Sequence, residues 1–374
     1  MRKTNVSEWL PSVALFLGQA HGRIRSSLRR RSSVNLITVS LVLAASLFTA
    51  ASAGATDTIT VFHKFVGGND GNEPNSLILA SDGNFYGTTY LGVGTVFQLT
   101  PSGQFTTIFY LPPQNPSRYF YGDYFTSVVE GPDGLLYVIA NGSNNNPNPM
   151  LFRISKSGAG FQVVLQEAPD NLSVASDGNF YGADANGIFR LTTGGTYTVL
   201  FSAGTGGITP YGFGKQAADG NFYGGCSVSG VSGPPHVCRV TTSGAVTPIF
   251  QFPSGRWPAN GILTQGSDGF LYGAAWKNND SAELIFQLST SGSYLEIYNS
   301  PNNCTPKTGC SRVIQASDGN LWVTNPPGYS VYSITTSGTL LQTVSFSSQP
   351  PGAASPNILL QAPSGILYLS LIHI

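Results

Sequence analysis

One short signature recurs along this chain and restricts its fold more than any other feature. It reads ASDGNFYG at 80–87, GPDGLLYV at 131–138, ASDGNFYG at 175–182 and AADGNFYG at 217–224. It returns as GSDGFLYG at 266–273, ASDGNLWV at 316–323 and APSGILYL at 362–369. The interval is about 42 to 51 residues, the length of a unit holding four short strands. A second signature follows the first six: VFQLTPSG (96–103), LFRISKSG (151–158), IFRLTTGG (188–195), VCRVTTSG (237–244), IFQLSTSG (285–292) and VYSITTSG (331–338). Each of these runs into one more short apolar segment.

The module therefore reads strand A, Asp-Gly turn, strand B, variable loop, strand C, Ser-Gly turn, strand D. Asp-Gly between apolar runs signals a two-residue hairpin with both central residues at positive φ. The Tyr or Trp closing the first signature (Tyr86, Tyr137, Tyr181, Tyr223, Tyr272, Trp322, Tyr368) is expected to pack between neighbouring units. With 45 Gly, 24 Pro and no clear helical period past residue 55, the expectation is an all-β, seven-bladed β-propeller of four-stranded modules. The segment ITVFHKF at 59–65 resembles a D strand with no module before it. Such a strand closes the last blade from the N-terminus, leaving no open sheet edge. On this reading the last blade is truncated, for want of its own C strand.

The two ends are read apart from the propeller, which spans 54–368. Residues 1–53 hold seven of the eighteen basic residues against one acid, Glu8, so the remainder is acidic by about six charges. Without a Lys/Arg cluster that remainder is a poor nucleic-acid partner. Arg29-Arg30-Arg31, the apolar run VNLITVSLVLAASLF and Ala51-Ser52-Ala53 form the order of a secretory signal, with cleavage after Ala53; a retained membrane anchor is the alternative. The chain is thus expected to be secreted or at the cell surface. The last six residues, LSLIHI (369–374), break the repeat, read as a translated sequencing adapter, and are set aside. Cys226 with Cys238, and Cys304 with Cys310, are expected to form two loop-stapling disulfides in an exported chain.

Residues 71–110, GNEPNSLILASDGNFYGTTYLGVGTVFQLTPSGQFTTIFY, resemble the GloVer tandem repeat. The likeness extends over roughly 59–368 and rests on the DG and SG turns in later modules. It implies an exported bacterial propeller with a choice of C-terminal anchors. A weaker likeness, carried by ASDGNLWVTNPPGYSVYSITTSG at 316–338, is to streptogramin lyase-like propellers. That family implies histidines, an acid and magnesium. Outside the leader and tail this chain offers only His63 and His236, so the lyase site is not carried over.

The turn aspartates are spread around a ring and do not converge as calcium requires. No nucleophile elbow or phosphate loop appears, and no cofactor or metal is implied. The B–C and D–A loops, expected to be long and irregular, share one face where recognition residues concentrate. The notable positions are Arg118, Tyr119, Tyr121, Tyr124, Arg256, Trp257, Trp276 and Lys277, with Asp280, Glu283, Lys307 and Arg312 nearby. Tyr, Trp and Arg give rigid amphipathic contact area for a glycan, peptide or protein loop. Three roles stand side by side: a non-catalytic binding scaffold, which the sequence favours over an enzyme; a channel-mouth lyase or hydrolase; and an adhesive surface repeat. The chain is expected to be a monomer, touching membrane only through the leader or a lost C-terminal anchor.

Overall fold

The computed structural model describes residues 13–18, 58–65, 68–91, 94–110, 124–141, 149–229, 235–258, 262–277, 282–303, 312–326, 329–346 and 354–373. It is an all-β propeller of four-stranded antiparallel sheets. In blade 1, strands Asn72–Leu79, Phe85–Leu91, Thr95–Leu99 and Phe105–Tyr110 pair in chain order, A to D. Five more sheets of consecutive strands follow. In blade 5 strand A is split into Arg256–Pro258 and Thr264–Gln265, both paired with Leu271–Lys277.

Six blades, not seven, are complete in consecutive strands. The seventh repeat supplies only Ala354–Gln361 and Leu367–His373 as A and B. Its sheet is filled out by Val13–Gly18 and then Thr58–Lys64, paired antiparallel in that order. Thr58–Lys64 thus holds the outermost position that the sequence assigned to 59–65. The loop face also departs from expectation: blade 3 joins B to C with only Ala185 and Asn186.

The A–B turns are of a different type from the one expected. Among non-glycine residues described, only Glu73 and Tyr329 have positive φ, so the turn aspartates do not. In blade 1, Gly83 N–H donates to Ala80 O and Ala80 N–H to Asn84 O, with Gly83 alone at φ 82°. This is a type I turn closed by a left-handed glycine. The aspartate side chain explains the choice. Asp82 Oδ1 accepts from Asn84 N–H at 3.1 Å, and Oδ2 accepts from the Tyr86 hydroxyl at 2.8 Å. The same Tyr-to-Asp bond recurs at Tyr137, Tyr181, Tyr223 and Tyr272, at 2.6 to 2.9 Å. Burial, then the aspartate, pushes the Tyr86, Tyr181, Tyr223 and Tyr272 hydroxyls up to about 12.

These tyrosines also face the next unit: Tyr137 lies 4.4 Å from Phe180 of blade 3, and Tyr181 5.2 Å from Phe222 of blade 4. Tyr368 meets Phe85 of blade 1 at 4.0 Å, so the seam between the chain ends repeats an ordinary blade contact. Ser370 Oγ donates to Pro74 O at 2.8 Å across that seam. The C–D glycines repeat the theme. Gly158 and Gly338 sit at φ 81° and 89° with the preceding blade's Ile108 O and Ile297 O where a Cβ would be; at Gly103 the neighbour is Phe62 of the N-terminal strand.

A polar bridge links successive blades at the turn face. Gln315, last in strand A of blade 6, accepts from Ser267 N–H of blade 5 at 2.6 Å and donates to Gly319 O of its own turn at 2.9 Å. Gln216, Gln265 and Gln361 accept in the same way from Ser176, Ala218 and Ser317. Glu130 does so for Ser81, its charge met by Lys156 Nζ at 2.6 Å. The donor is missing at two turns, where the residue is Pro132 or Pro363. The residues at the matching end of the following strand A are then Val174 and Leu79, which need no partner. Arg153 Nη1 instead ties blade 2 to Thr193 O of blade 3 at 2.7 Å. Replacing Gln315 by leucine is expected to cost about 1 kcal/mol in urea titration. Val174→Gln is expected to gain nothing unless Pro132→Ser restores the donor.

Candidate functional site

The four blade-5 candidates lie on one short ladder at the loop face. Arg256 is in register with Lys277, and Trp257 with Trp276. Trp276 is in turn opposite Glu283, the second residue of strand C. Directly opposed residues of an antiparallel ladder share a sheet face, so Trp276 and Glu283 lie in one row. Half-buried Trp276 packs with Ile297 and Tyr298 on the core between blades 5 and 6. Glu283, read from sequence as a loop residue, is only 1% exposed. Its strand-C position opposite Trp276 aims it into that interface, beside Tyr332 of blade 6. Burial, then the Glu283 charge, raises the Tyr332 hydroxyl well above its ordinary range. Arg256 Nε donates to Glu296 Oε1 at 2.9 Å, and the Tyr294 hydroxyl donates to the same oxygen at 3.3 Å. Arg256 is therefore half-buried and held, not a free cation.

The other candidates are not gathered there. Tyr124 begins strand A of blade 2, in register with Asn141. Arg118, Tyr119 and Tyr121 lie outside the described residues, as do Cys304 and Cys310. Cys226 and Cys238 do form a disulfide, with Cα atoms 5.9 Å apart. It is buried between strands B and C of blade 4, not exposed in the loop beyond them.

Sequence reasoning passed over the inner wall. A cavity of about 530 Å³ lies against the A strands of blades 4 to 6 and the closing sheet, which places those strands around the central channel. Ile262, Ile314 and Leu360 give it an apolar wall, and Lys215 is the one charged residue among the described lining residues. The lining glutamines are engaged in the bridges described above. The repeated A-strand glutamine was the available signal.

His63 and His236 occupy different sheets and form no pair. His63 Nε2 lies 3.3 Å from Asp70 Oδ2, and its ring stacks on Phe105 at 3.6 Å. Burial outweighs Asp70 and holds His63 below its ordinary value. Burial lowers His236, which is in register with Cys226. A histidine harder to protonate when folded contributes stability that is complete above about pH 6.5 and is lost as pH falls. The melting temperature is therefore expected to drop between pH 7.5 and 5.5. The turn carboxylates of Asp82, Asp177 and Asp219 act lower. Burial raises Asp82, but the Tyr86 and Asn84 donors outweigh it, so its contribution is lost only near pH 4 and below. Among the described residues, no group of three or more His, Cys, Asp or Glu is placed to hold a metal.

No family model matches the chain. No curated protein matches it either. Solved structures do. A streptogramin B lyase is similar at 18% identity with a TM-score of 0.54, over 80% of this chain and 93% of that one. A catalytically inactive histidine-to-alanine variant of virginiamycin B lyase from Staphylococcus aureus, solved with quinupristin, is similar at 16% identity with a TM-score of 0.56, over 80% and 95%. The extracellular domain of a hybrid two-component system from B. thetaiotaomicron is similar at 12% identity with a TM-score of 0.54, over 80% of this chain and 40% of that one. The shared property is the propeller fold. The likeness to the GloVer repeat rests on residues 71–110 and the turns alone.

Proposed function

We propose that this chain is an exported, seven-bladed propeller of the GloVer type that binds a ligand through its loop face without catalysis. The observation that carries the binding reading is the register that pairs Arg256 with Lys277 and Trp257 with Trp276 on adjacent rungs of one short ladder at the loop end of blade 5. A ladder end that carries both aromatic and basic residues suits a glycan or an extended peptide with an acidic group. Export is supported by the buried Cys226–Cys238 disulfide, and no helix among the described residues is long and apolar enough to cross a membrane. The seven-blade count is supported by the seam, where Tyr368–Phe85 and Phe62–Gly103 repeat the contacts of ordinary blade pairs. The lyase alternative draws on fold likeness, while the separation of His63 from His236 speaks for binding.

An array of oligosaccharides and peptides probed with the labelled full chain tests this reading. Ligands found there are expected to lose about tenfold in affinity with Trp257→Ala and with Lys277→Ala, and little with Ile262→Ala in the channel. Binding indifferent to the first two places the site elsewhere. Turnover of a bound ligand, abolished by His63→Ala or His236→Ala, overturns the non-catalytic reading.

A further inference from the structure

We propose that the turn-end half of the central channel is a binding site for a small amphipathic anion, a carboxylate on a short alkyl or aryl body. The cavity there measures about 530 Å³, within the range of roughly 300 to 1,000 Å³ that holds such molecules. A departure in two neighbouring blades shapes its wall. Strand A of blade 4, Ile208–Phe213, stops short of Lys215 and Gln216. In blades 6 and 7 strand A runs on through Gln315 and Gln361. Strand A of blade 5 is split, and Ile262, between its two parts, forms an isolated antiparallel bridge with Gly224 of blade 4. Gly214 permits this approach, since a Cβ on it would collide with Leu263 O. The inner edge of blade 5 is thus held against blade 4, off the ladder of its own sheet.

Two features of this wall point to a ligand. The first is Ile262, which is 44% exposed. The other exposed large apolar residues among those described lie at the outer D strands or, for Tyr90, on strand B of blade 1. Ile262 therefore stands apart in lining the channel, a wall it shares with Ile314 and Leu360. The second is Lys215. Ser173 and Thr264 hold the equivalent place in blades 3 and 5, and each hydroxyl closes on the next blade. Ser173 Oγ donates to Gly214 O at 3.0 Å, and Thr264 Oγ1 to Val313 O at 2.7 Å. Lys215 makes no ion pair and no side-chain hydrogen bond with a described residue. No described lining residue is a carboxylate, and Asp219 of the following turn accepts from Tyr223 at 2.6 Å. The lining glutamines are spent on the blade bridges, which leaves the ammonium as the polar anchor. An unpaired ammonium beside an apolar wall selects a ligand with one anionic end and hydrocarbon behind it. The carboxylate meets Lys215 with less screening than in open water, and the hydrocarbon covers Ile262, Ile314 and Leu360. This inference is independent of the loop-face site.

The test is calorimetric titration of the full chain with octanoate, beside octanamide and octylammonium. Saturable one-to-one binding of octanoate is expected, about tenfold tighter than octanamide, with octylammonium the weakest. Lys215→Met is expected to weaken octanoate about tenfold and to leave octanamide unchanged. Ile262→Ser is expected to weaken both about threefold, and Trp257→Ala neither. Both channel positions are exposed, so these variants are expected to keep the parent melting temperature. Lys215→Glu is expected to reverse the order, with octylammonium bound better than octanoate. Hydrogen exchange in the octanoate complex is expected to slow in 262–265 and 313–315. Equal affinity for octanoate and octanamide, octanoate binding indifferent to Lys215→Met, slowed exchange confined to the loop face, or no saturable binding of octanoate overturns the proposal.

Discussion

Phe65→Ala is expected to destabilise the protein by about 3 to 5 kcal/mol, the range for deleting a fully buried phenylalanine. Phe65 has no exposed surface and follows the N-terminal outer strand directly. Its ring lies 5.3 Å from Phe97 and 5.4 Å from Phe105 of blade 1, and 4.7 Å from His63. The same cluster holds Phe85 and Leu99 of blade 1 and Tyr368 of the closing sheet. One side chain thus joins the beginning of the domain, its first blade and its last repeat. Urea titration of Phe65→Ala beside Phe189→Ala, a buried phenylalanine inside blade 3, provides the comparison. Equal losses mean that the seam is as well packed as an internal interface. A loss below about 1 kcal/mol at Phe65 means that the N-terminal strand is not docked.

Removing the Cys226–Cys238 disulfide is expected to cost about 3 kcal/mol, the effect of opening a loop of this size in the unfolded chain. The bond spans a sequence separation of 12 residues. It joins strands Phe222–Val228 and His236–Val240, which are already paired, so the folded geometry has little to change when it is lost. Cys226→Ala with Cys238→Ala avoids leaving buried thiols. Thermal unfolding of this double variant, compared with the parent chain with and without a dithiol reductant, reads the effect. Full retention of stability in the variant contradicts a structural role.

The blade plan was legible because turns repeat more faithfully than cores. Gly83, Gly134, Gly178, Gly220, Gly269, Gly319 and Gly365 all occupy the left-handed region that the repeated DG or SG signature requires. The outer strand at 58–64 was legible for the same reason, as a strand D with no turn before it. The turn type was misread because Asp-Gly alone does not reveal that the aspartate is tied to a tyrosine four residues on. The count of complete blades was misread because a repeat in sequence guarantees strands A and B but not their C and D. Pairing of Trp257 with Trp276 was invisible, since it depends on a register across a split strand. Glu283 was read as a loop residue because nothing local shows that its rung faces Tyr332. The matched Pro132/Val174 and Pro363/Leu79 positions stand in the sequence, yet they acquire meaning only once the blades are known to be neighbours.

Strands from both ends of the described chain meet in one sheet, and that sheet closes the ring. Hydrogen–deuterium exchange of the full chain, resolved for residues 58–65, tests it most directly. A docked outer strand is expected to exchange as slowly as its counterpart Phe105–Tyr110 in blade 1, well below the rate of an unstructured peptide. Exchange at the unstructured rate in 58–65, with 105–110 still protected, would show an open ring and contradict the account.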